Sequence, residues 1–143
     1  MALGVALVAT VGLLSGCLTQ DQQTAQSLLN ADRTSNGLPA LVDYQAADTK
    51  AQAWAEHLAA NPSIPPVLAH SNLTDGYQAG TWCHLGENVG AGPSIESIEP
   101  AFMASPLHRA NILNRDYDHV GTGVATNATT GYVFVVQEFV DLC

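Results

Sequence analysis

Three short segments of the sequence carry side chains that are able to hold a metal ion or a polar ligand. They are centred on His70 in AHSNL (69–73), Glu87 in GENVG (86–90) and His108 in SPLHRANIL (105–113). Two imidazoles and a carboxylate could bind Zn²⁺ and leave its fourth position to water. In a second arrangement, Glu87 accepts a hydrogen bond from one histidine and fixes its tautomer, which leaves two metal ligands. In a third, the histidines only satisfy buried polar groups of the fold.

The composition is that of a small packed domain with an acidic surface. The chain has 143 residues, of which 47% are hydrophobic and 12% are charged, and this favours one folded domain over a disordered chain. Its net charge is −9, with only four lysines and arginines. Such a chain lacks the cationic surface that nucleic acids and anionic lipid head groups require. We therefore expect no nucleic-acid partner, and contact with a membrane only through an anchor.

The N-terminal segment has the character of an export signal. Residues 2–16 contain no charged side chain, and the stretch is too short to span a bilayer comfortably, so residues 1–16 are predicted to be a signal peptide. The segment LSGC (14–17) resembles the lipobox of bacterial lipoproteins, which predicts a lipid on Cys17, although the usual Lys or Arg before the apolar run is missing. The alternative is an apolar helix that is retained. Residues 17–23 are predicted to be a tether and residues 24–143 a single domain.

The cysteine count agrees with an exported protein. Once Cys17 is assigned to a lipid, Cys83 and Cys143 remain, and in an oxidising compartment two such thiols tend to pair. A Cys83–Cys143 disulfide is therefore predicted, with two free thiols as the alternative. We do not predict a nucleophilic cysteine, because His84 directly follows Cys83 and neighbours on a backbone rarely point at each other.

Hydrophobic periodicity predicts helices separated by one long irregular segment. The first helix is predicted over residues 24–33, the second over 44–60 with Asp43 as its N-cap, and the third over 94–104. Ser105 and Pro106 are typical of the start of a further short helix, which would carry His108. Residues 61–92 are rich in Pro, Gly and Asn and are predicted to be loops that hold the site.

Two strands are predicted near the C-terminus, over residues 120–125 and 132–140. In the second of these, both alternating sets of side chains are largely apolar, which indicates a strand buried on both faces. We therefore predict a sheet that is covered by helices on both faces.

Six segments in order are similar to those of the cysteine-rich secretory protein, antigen 5 and pathogenesis-related (CAP) superfamily, in particular its small bacterial branch with SCP-like domains. The resemblance implies an α+β fold, a three-layer α/β/α sandwich with a central antiparallel sheet. The segments are LNADRT (29–34), AHSNL (69–73), GENV (86–89), FMASPLHRANIL (102–113), HVGTGV (119–124) and VQEF (136–139).

Animal and plant relatives place two histidines and two glutamates in a central cleft, and the resemblance carries His70, Glu87 and His108 to this chain. The second glutamate has no counterpart, because residues 102–105 are FMAS and neither Glu96 nor Glu99 falls at the matching step. The resemblance thus implies a cleft of three members. From the chemistry of their side chains we predict His70 and His108 as a metal-capable pair, with Zn²⁺ as the candidate cofactor and Glu87 as their orienting partner.

Several neighbouring residues are interpreted as structural. Arg109 and Asn111 are expected to tie their short helix to nearby carbonyl or carboxylate groups. His57 lies off the apolar stripe of its helix and is predicted to be a surface residue. His119 is interpreted as the start of a strand. Serine hydrolysis is not predicted, since no Gly-x-Ser-x-Gly motif is present.

Three functions remain open from the sequence. The first is a secreted or lipid-anchored binding domain, whose cleft takes a lipid, glycan or protein ligand or a divalent metal without catalysis. The second is a metal-dependent hydrolase of peptide or cell-wall material, in which Glu87 would be the general base for a zinc-bound water. The third is a structural or adhesion domain with an inert cleft.

Overall fold

A computed structural model describes residues 17–143. The predicted signal peptide, residues 1–16, lies outside the described residues. None of the helices between residues 17 and 143 is long and apolar enough to cross a membrane. The elements in chain order are α1 (Gln20–Ser35), β1 (Val42–Asp43), α2 (Gln45–Ala59), β2 (Trp82–Gly92), α3 (Ile95–Ala104), α4 (Pro106–Ile112), β3 (His119–Thr126) and β4 (Val133–Leu142).

Helix α1 begins four residues before the predicted start, so the prediction of a tether is wrong for residues 20–23. A capping box starts the helix: the Thr19 hydroxyl accepts from the N–H of Gln22, and the Gln22 side chain accepts from the N–H of Thr19. Gln22 is also buried, and its amide donates to the carbonyl of Thr122 at 2.8 Å. The polar residues in this run therefore fix the helix to the sheet.

The sheet has four strands in the order β1-β3-β4-β2. The three long strands are antiparallel, as predicted for the centre of the sheet, and the two-residue β1 pairs with β3 in parallel at one edge, which makes the sheet mixed. The larger error concerns β2, whose 11 residues were predicted to be loop. Its glycines have low strand propensity, but Gly90 lies where an added Cβ would collide with Phe102, so helix packing decides this strand.

The helices lie in two layers, one on each face of the sheet. Alternate residues of β4 point to opposite layers: Val135 and Phe139 belong to the core with α1, α3 and α4, whereas Phe134 and Val136 belong to the core with α2. This confirms the predicted α+β, three-layer fold and the strand buried on both faces.

The start of α2 differs from the prediction. Asp43 is not its N-cap but the second residue of β1, and Tyr44 takes the cap position without a side-chain hydrogen bond. The Tyr44 N–H donates to the carbonyl of Val120, which continues the pairing of β1 with β3 up to the helix. Sheet pairing therefore outweighs the local capping preference of Asp43.

The predicted disulfide is present between Cys83 and Cys143, whose Cα atoms are 5.4 Å apart. It holds the C-terminal residue against the start of β2, where the Cys143 N–H also donates to the carbonyl of Thr81. Cys17 is exposed and unpaired among residues 17–143. Its lipidation stays a prediction.

Removal of the disulfide is expected to destabilise the fold. The bond spans 60 residues of sequence, and cross-linking a loop of this length restricts the unfolded chain by about 4 kcal/mol in the chain-entropy model. We expect C83S/C143S to lower the free energy of unfolding in urea by about this amount. Reducing agent should change the unfolding midpoint of the parent protein and leave that of the variant unchanged.

Candidate functional site

A buried glutamate on β2 holds one of the predicted histidines. Glu87 lies in the middle of β2 and is 5% exposed, while the segment before the strand brings His70 over it. The Nδ1 of His70 lies 2.6 Å from Oε1 of Glu87. The His70 side chain is 66% exposed, so the ring is fixed at one nitrogen and accessible from solvent at its other edge.

The carboxylate of Glu87 is itself held in place. The N–H of Ser71 donates to its two oxygens at 3.0 and 3.3 Å. Burial opposes ionisation of Glu87, but hydrogen bonds from Ser71, from Glu138 and from His70 together lower its pKa. Glu87 is therefore a carboxylate at neutral pH, and His70 is its hydrogen-bond donor.

A second buried glutamate lies directly opposite. Glu138 on β4 pairs with Glu87 across the ladder and has no exposed surface. The Nζ of Lys50, on α2, lies 2.5 Å from Oε1 of Glu138 and donates to the Ser71 hydroxyl at 2.8 Å. Burial raises the pKa of Glu138, hydrogen bonding and charge from Lys50 oppose this, and the neighbouring Glu87 raises it further. Lys50 thus binds Glu138, whereas Glu87 is held by Ser71 and His70.

Two stacked tyrosine rings cover Lys50. The Nζ of Lys50 lies 5.5 Å from the centroid of the Tyr77 ring, and Tyr44 stacks on the same ring with centroids 6.3 Å apart. Burial, followed by the charge of Glu138, raises the pKa of Tyr77. The phenol therefore stays neutral and shields the ion pair from water.

His108 reaches the same region from the other face of the sheet. It lies on α4, where its ring is 5.0 Å from that of Phe102 and its carbonyl accepts from the Asn88 side chain. Burial lowers the pKa of His108, and so does the charge of the neighbouring His70. A neutral imidazole is the form that binds metal ions.

A chain of buried amides supports α4 and β2. Asn111 donates to the carbonyl of Glu87 and to the side chain of Asn88, which in turn donates to Gln137. Gln137 donates to Oε2 of Glu99 at 2.6 Å. Asn111 thus has the tying role predicted for it. Glu99 lies at the far end of this chain and is not a member of the cleft.

The structure brings His70 and Glu87 into contact and places His108 nearby. Residues 17–143 contain no group of three or more His, Cys, Asp or Glu side chains arranged to hold a metal ion. Any metal site here would therefore depend on the two histidines, and their role as ligands stays a prediction. His57 is exposed and His119 begins β3, as expected.

Sequence reasoning missed Lys50, Tyr77 and Glu138. A signal was present for Glu138, because Gln137 and Glu138 are two adjacent polar residues inside an otherwise apolar strand. In a strand buried on both faces, such residues need polar partners on both sides. Lys50 and Tyr77 carry no comparable signal.

Comparison with known proteins agrees with the fold and the motifs. The model of the cysteine-rich secretory protein (CAP) family matches residues 26–139, and the chain belongs to this family. Comparison of the sequence with curated proteins finds no significant match.

Solved structures show the same fold at low sequence identity. An outer surface protein of Borrelia burgdorferi is 16% identical, with a TM-score of 0.70 over 87% of this chain and 95% of its own. A cysteine-rich secretory protein of Staphylococcus aureus is 18% identical, with a TM-score of 0.67 over 85% of this chain and 38% of its own. An extracellular SCP-domain protein of Bacillus anthracis is 22% identical, with a TM-score of 0.64 over 88% of this chain and 45% of its own. The chain thus spans less than half the length of the last two.

Breaking the buried ion pair is expected to destabilise the domain. Lys50→Met removes the cation and leaves the two buried carboxyl groups, at a cost of about 3 kcal/mol in the free energy of unfolding at pH 8. Adding Glu138→Gln removes the uncompensated acid and should restore part of this loss. Urea unfolding of both variants measures the effect, and equal stability of Lys50→Met and the parent would contradict it.

The buried acid Glu99 is expected to make stability depend on pH. Burial, followed by the charge of Asp32, raises the pKa of Glu99 from its ordinary 4.5 to about 8. The folded state then binds more protons than the unfolded state between these values, so this group stabilises the fold below about pH 4.5 and its contribution is lost as the pH rises through about 8. Glu99→Gln keeps the acceptor for Gln137 without the charge.

We therefore expect Glu99→Gln to gain stability over the parent as the pH rises from 5 to 9. Urea unfolding at several pH values measures the difference. The control is Glu96→Gln, on an exposed glutamate in the first turn of the same helix. A constant difference between Glu99→Gln and the parent over this range would refute the expectation.

Proposed function

We propose that this chain is an extracytoplasmic binding domain whose cleft takes up a divalent metal ion through His70 and His108, without catalysing a reaction. The observation that carries the proposal is the 2.6 Å contact of His70 Nδ1 with the buried Glu87. A carboxylate on one imidazole nitrogen fixes the tautomer and orients the other nitrogen for a ligand. His108, with its lowered pKa, supplies a second neutral imidazole nearby.

The imidazoles of His70 and His108 suit a metal ion of borderline softness, bound weakly. Imidazole nitrogens suit Zn²⁺, and a carboxylate behind one of them raises its basicity. Two protein ligands leave the remaining positions to water or to an incoming ligand. Such a site suits reversible binding better than a structural role.

Hydrolysis is a weaker proposal, because Glu87 is not free to act as a base. Its oxygens accept from His70 and Ser71, and these bonds contribute to its lowered pKa. A general base works best with a pKa near the working pH. Glu138 has a raised pKa, but it has no exposed surface and is bound to Lys50.

Three features support a location outside the cytoplasm. The family is one of secretory proteins by its description, the disulfide is typical of an oxidising compartment, and the N-terminal segment resembles a lipoprotein signal that ends at Cys17. Exposure of Cys17 in the structure leaves it accessible to an acyl chain. We propose a protein that is secreted or held to the membrane by this anchor.

Titration calorimetry with Zn²⁺ tests the metal site. We expect the parent to bind, the double variant His70→Ala/His108→Ala to lose binding, and Glu87→Gln to bind about 10 to 100 times more weakly, because the ring of His70 is no longer oriented. His84→Ala is the matched control, since His84 also pairs with a carboxylate, Asp141, at 2.8 Å on an exposed part of the surface.

Unchanged Zn²⁺ binding in the double variant would refute the assignment of the ligands. Circular dichroism of each variant separates loss of the site from loss of the fold. Equal loss in His84→Ala would show that Zn²⁺ binds to surface histidines in general.

A further inference from the structure

A groove lies between the outer face of α2 and the segment 71–76 packed beside it. Its volume is about 490 Å³, and its α2 side is lined by small and apolar groups that include Ala46, Ala53 and the stem of Lys50. Gly76 packs on this stem, since a Cβ added to the glycine would lie 3.7 Å from the Cβ of Lys50. We call this cavity the α2 groove.

Two aromatic rings line one end of the α2 groove. The indole of Trp54 is fixed in place, because its Nε1 donates to the carbonyl of Ala69 at 2.9 Å. His57, almost one turn further along α2, stacks on the indole with ring centroids 4.6 Å apart and an angle of 16° between the planes. Rings that are already fixed lose little conformational entropy when an apolar ligand packs against them.

A carboxylate without a basic partner lines the wall opposite α2. Asp75 is exposed and forms no salt bridge with any residue from 17 to 143. The Asn72 side chain donates to Oδ1 of Asp75 at 2.8 Å. This bond orients the carboxylate and leaves its Oδ2 for another donor.

The lysine in the α2 groove is not available to an anion. Lys50 is 8% exposed, and its Nζ already donates to Glu138 and to the Ser71 hydroxyl. Of the Asp, Glu, Lys and Arg side chains that line the groove, only Asp75 is exposed. The charge of the lining therefore favours a cationic ligand over an anionic one.

We infer that the α2 groove binds a small amphiphilic amine, in which an ammonium group is joined to an apolar body. The ammonium donates to Oδ2 of Asp75, and the apolar body packs against the rings of Trp54 and His57. Helix α2 rises about 10 Å between Lys50, which lies against Gly76, and His57. The acid and the rings thus lie toward different ends of the groove, as a ligand with one charged and one apolar end requires.

Three probes with the same apolar body test the inference. Phenylbutylamine, phenylbutanol and phenylbutanoate are titrated into the full chain and followed by NMR of the backbone amides. We expect the amine to bind about five times more tightly than the alcohol, which is the effect of one exposed ion pair, and the carboxylate to bind most weakly. The shifted amides should be centred on residues 46–57 and 71–76.

EDTA is present throughout, because the inference requires no metal ion. Neither His70 nor His108 lines the α2 groove. The result therefore stands or fails separately from the Zn²⁺ site.

Substitution of Asp75 separates the ion pair from the apolar contact. Asp75→Asn should abolish the advantage of the amine over the alcohol and leave the affinity for the alcohol unchanged. The matched control is Asp116→Asn, which removes the same charge from an exposed acid outside the groove. This control should keep the advantage of the amine.

Substitution of the rings tests the apolar end. Trp54→Leu should weaken the binding of both the amine and the alcohol about tenfold, because the ligand loses the contact with the indole. His57→Ala changes the exposed ring of the pair and should weaken both in the same direction. Circular dichroism of each variant separates loss of the site from loss of the fold.

Five outcomes would overturn the inference. They are no binding of the amine, equal affinities of the parent for the amine and the alcohol, equal effects of Asp75→Asn and Asp116→Asn, amide shifts centred outside the α2 groove, and tightest binding of the carboxylate. The second would leave an apolar groove without charge selection, and the third would indicate attraction to the acidic surface in general. The last would assign the groove to an acyl chain.

Discussion

Two carboxyl groups face each other inside the sheet, Glu87 on β2 and Glu138 on β4, and a single lysine from α2 binds Glu138. Burying two acids beside one cation is costly unless one of them keeps its proton and every remaining charge is hydrogen-bonded. Lys50 and the Ser71 N–H meet this need, since the first binds Glu138 and the second binds Glu87. This requirement fixes where α2 and the segment before β2 lie on the sheet.

The accessible chemistry depends on that buried pair. Glu87 holds the Nδ1 of His70, whose ring is otherwise in solvent, and so a rigid interior group orients a surface side chain. On the opposite face of the sheet, the Asn88 side chain donates to the carbonyl of His108. The chain of buried amides continues from Asn88 through Gln137 to Glu99. The two histidines thus come from different layers of the sandwich, and β2 is the element that relates them.

Much of the fold could be predicted from local patterns. The buried strand β4, the helices and the disulfide follow from periodicity, capping residues and the cysteine count. β2 could not be predicted in this way, because glycines at 86, 90 and 92 and Asn88 are poor strand formers in isolation. The three glycines are required there because Tyr117, Phe102 and Ile98 pack where a Cβ would lie. The start of α2 shows the same effect. Asp43 belongs to β1, although its side chain favours the N-cap position of a helix.

The sequence by itself determined the family and the acidic net charge, and it singled out His70, Glu87 and His108 as candidates, because these depend on residue type and order along the chain. Only the tertiary structure decided that Glu87 is the partner of His70, that Glu138 and Lys50 lie beneath it, and that Glu99 binds Gln137. These relations depend on which residues of β2 and β4 stand opposite each other. Register of this kind is set by the packing of whole helices on the sheet and leaves no local trace in the sequence.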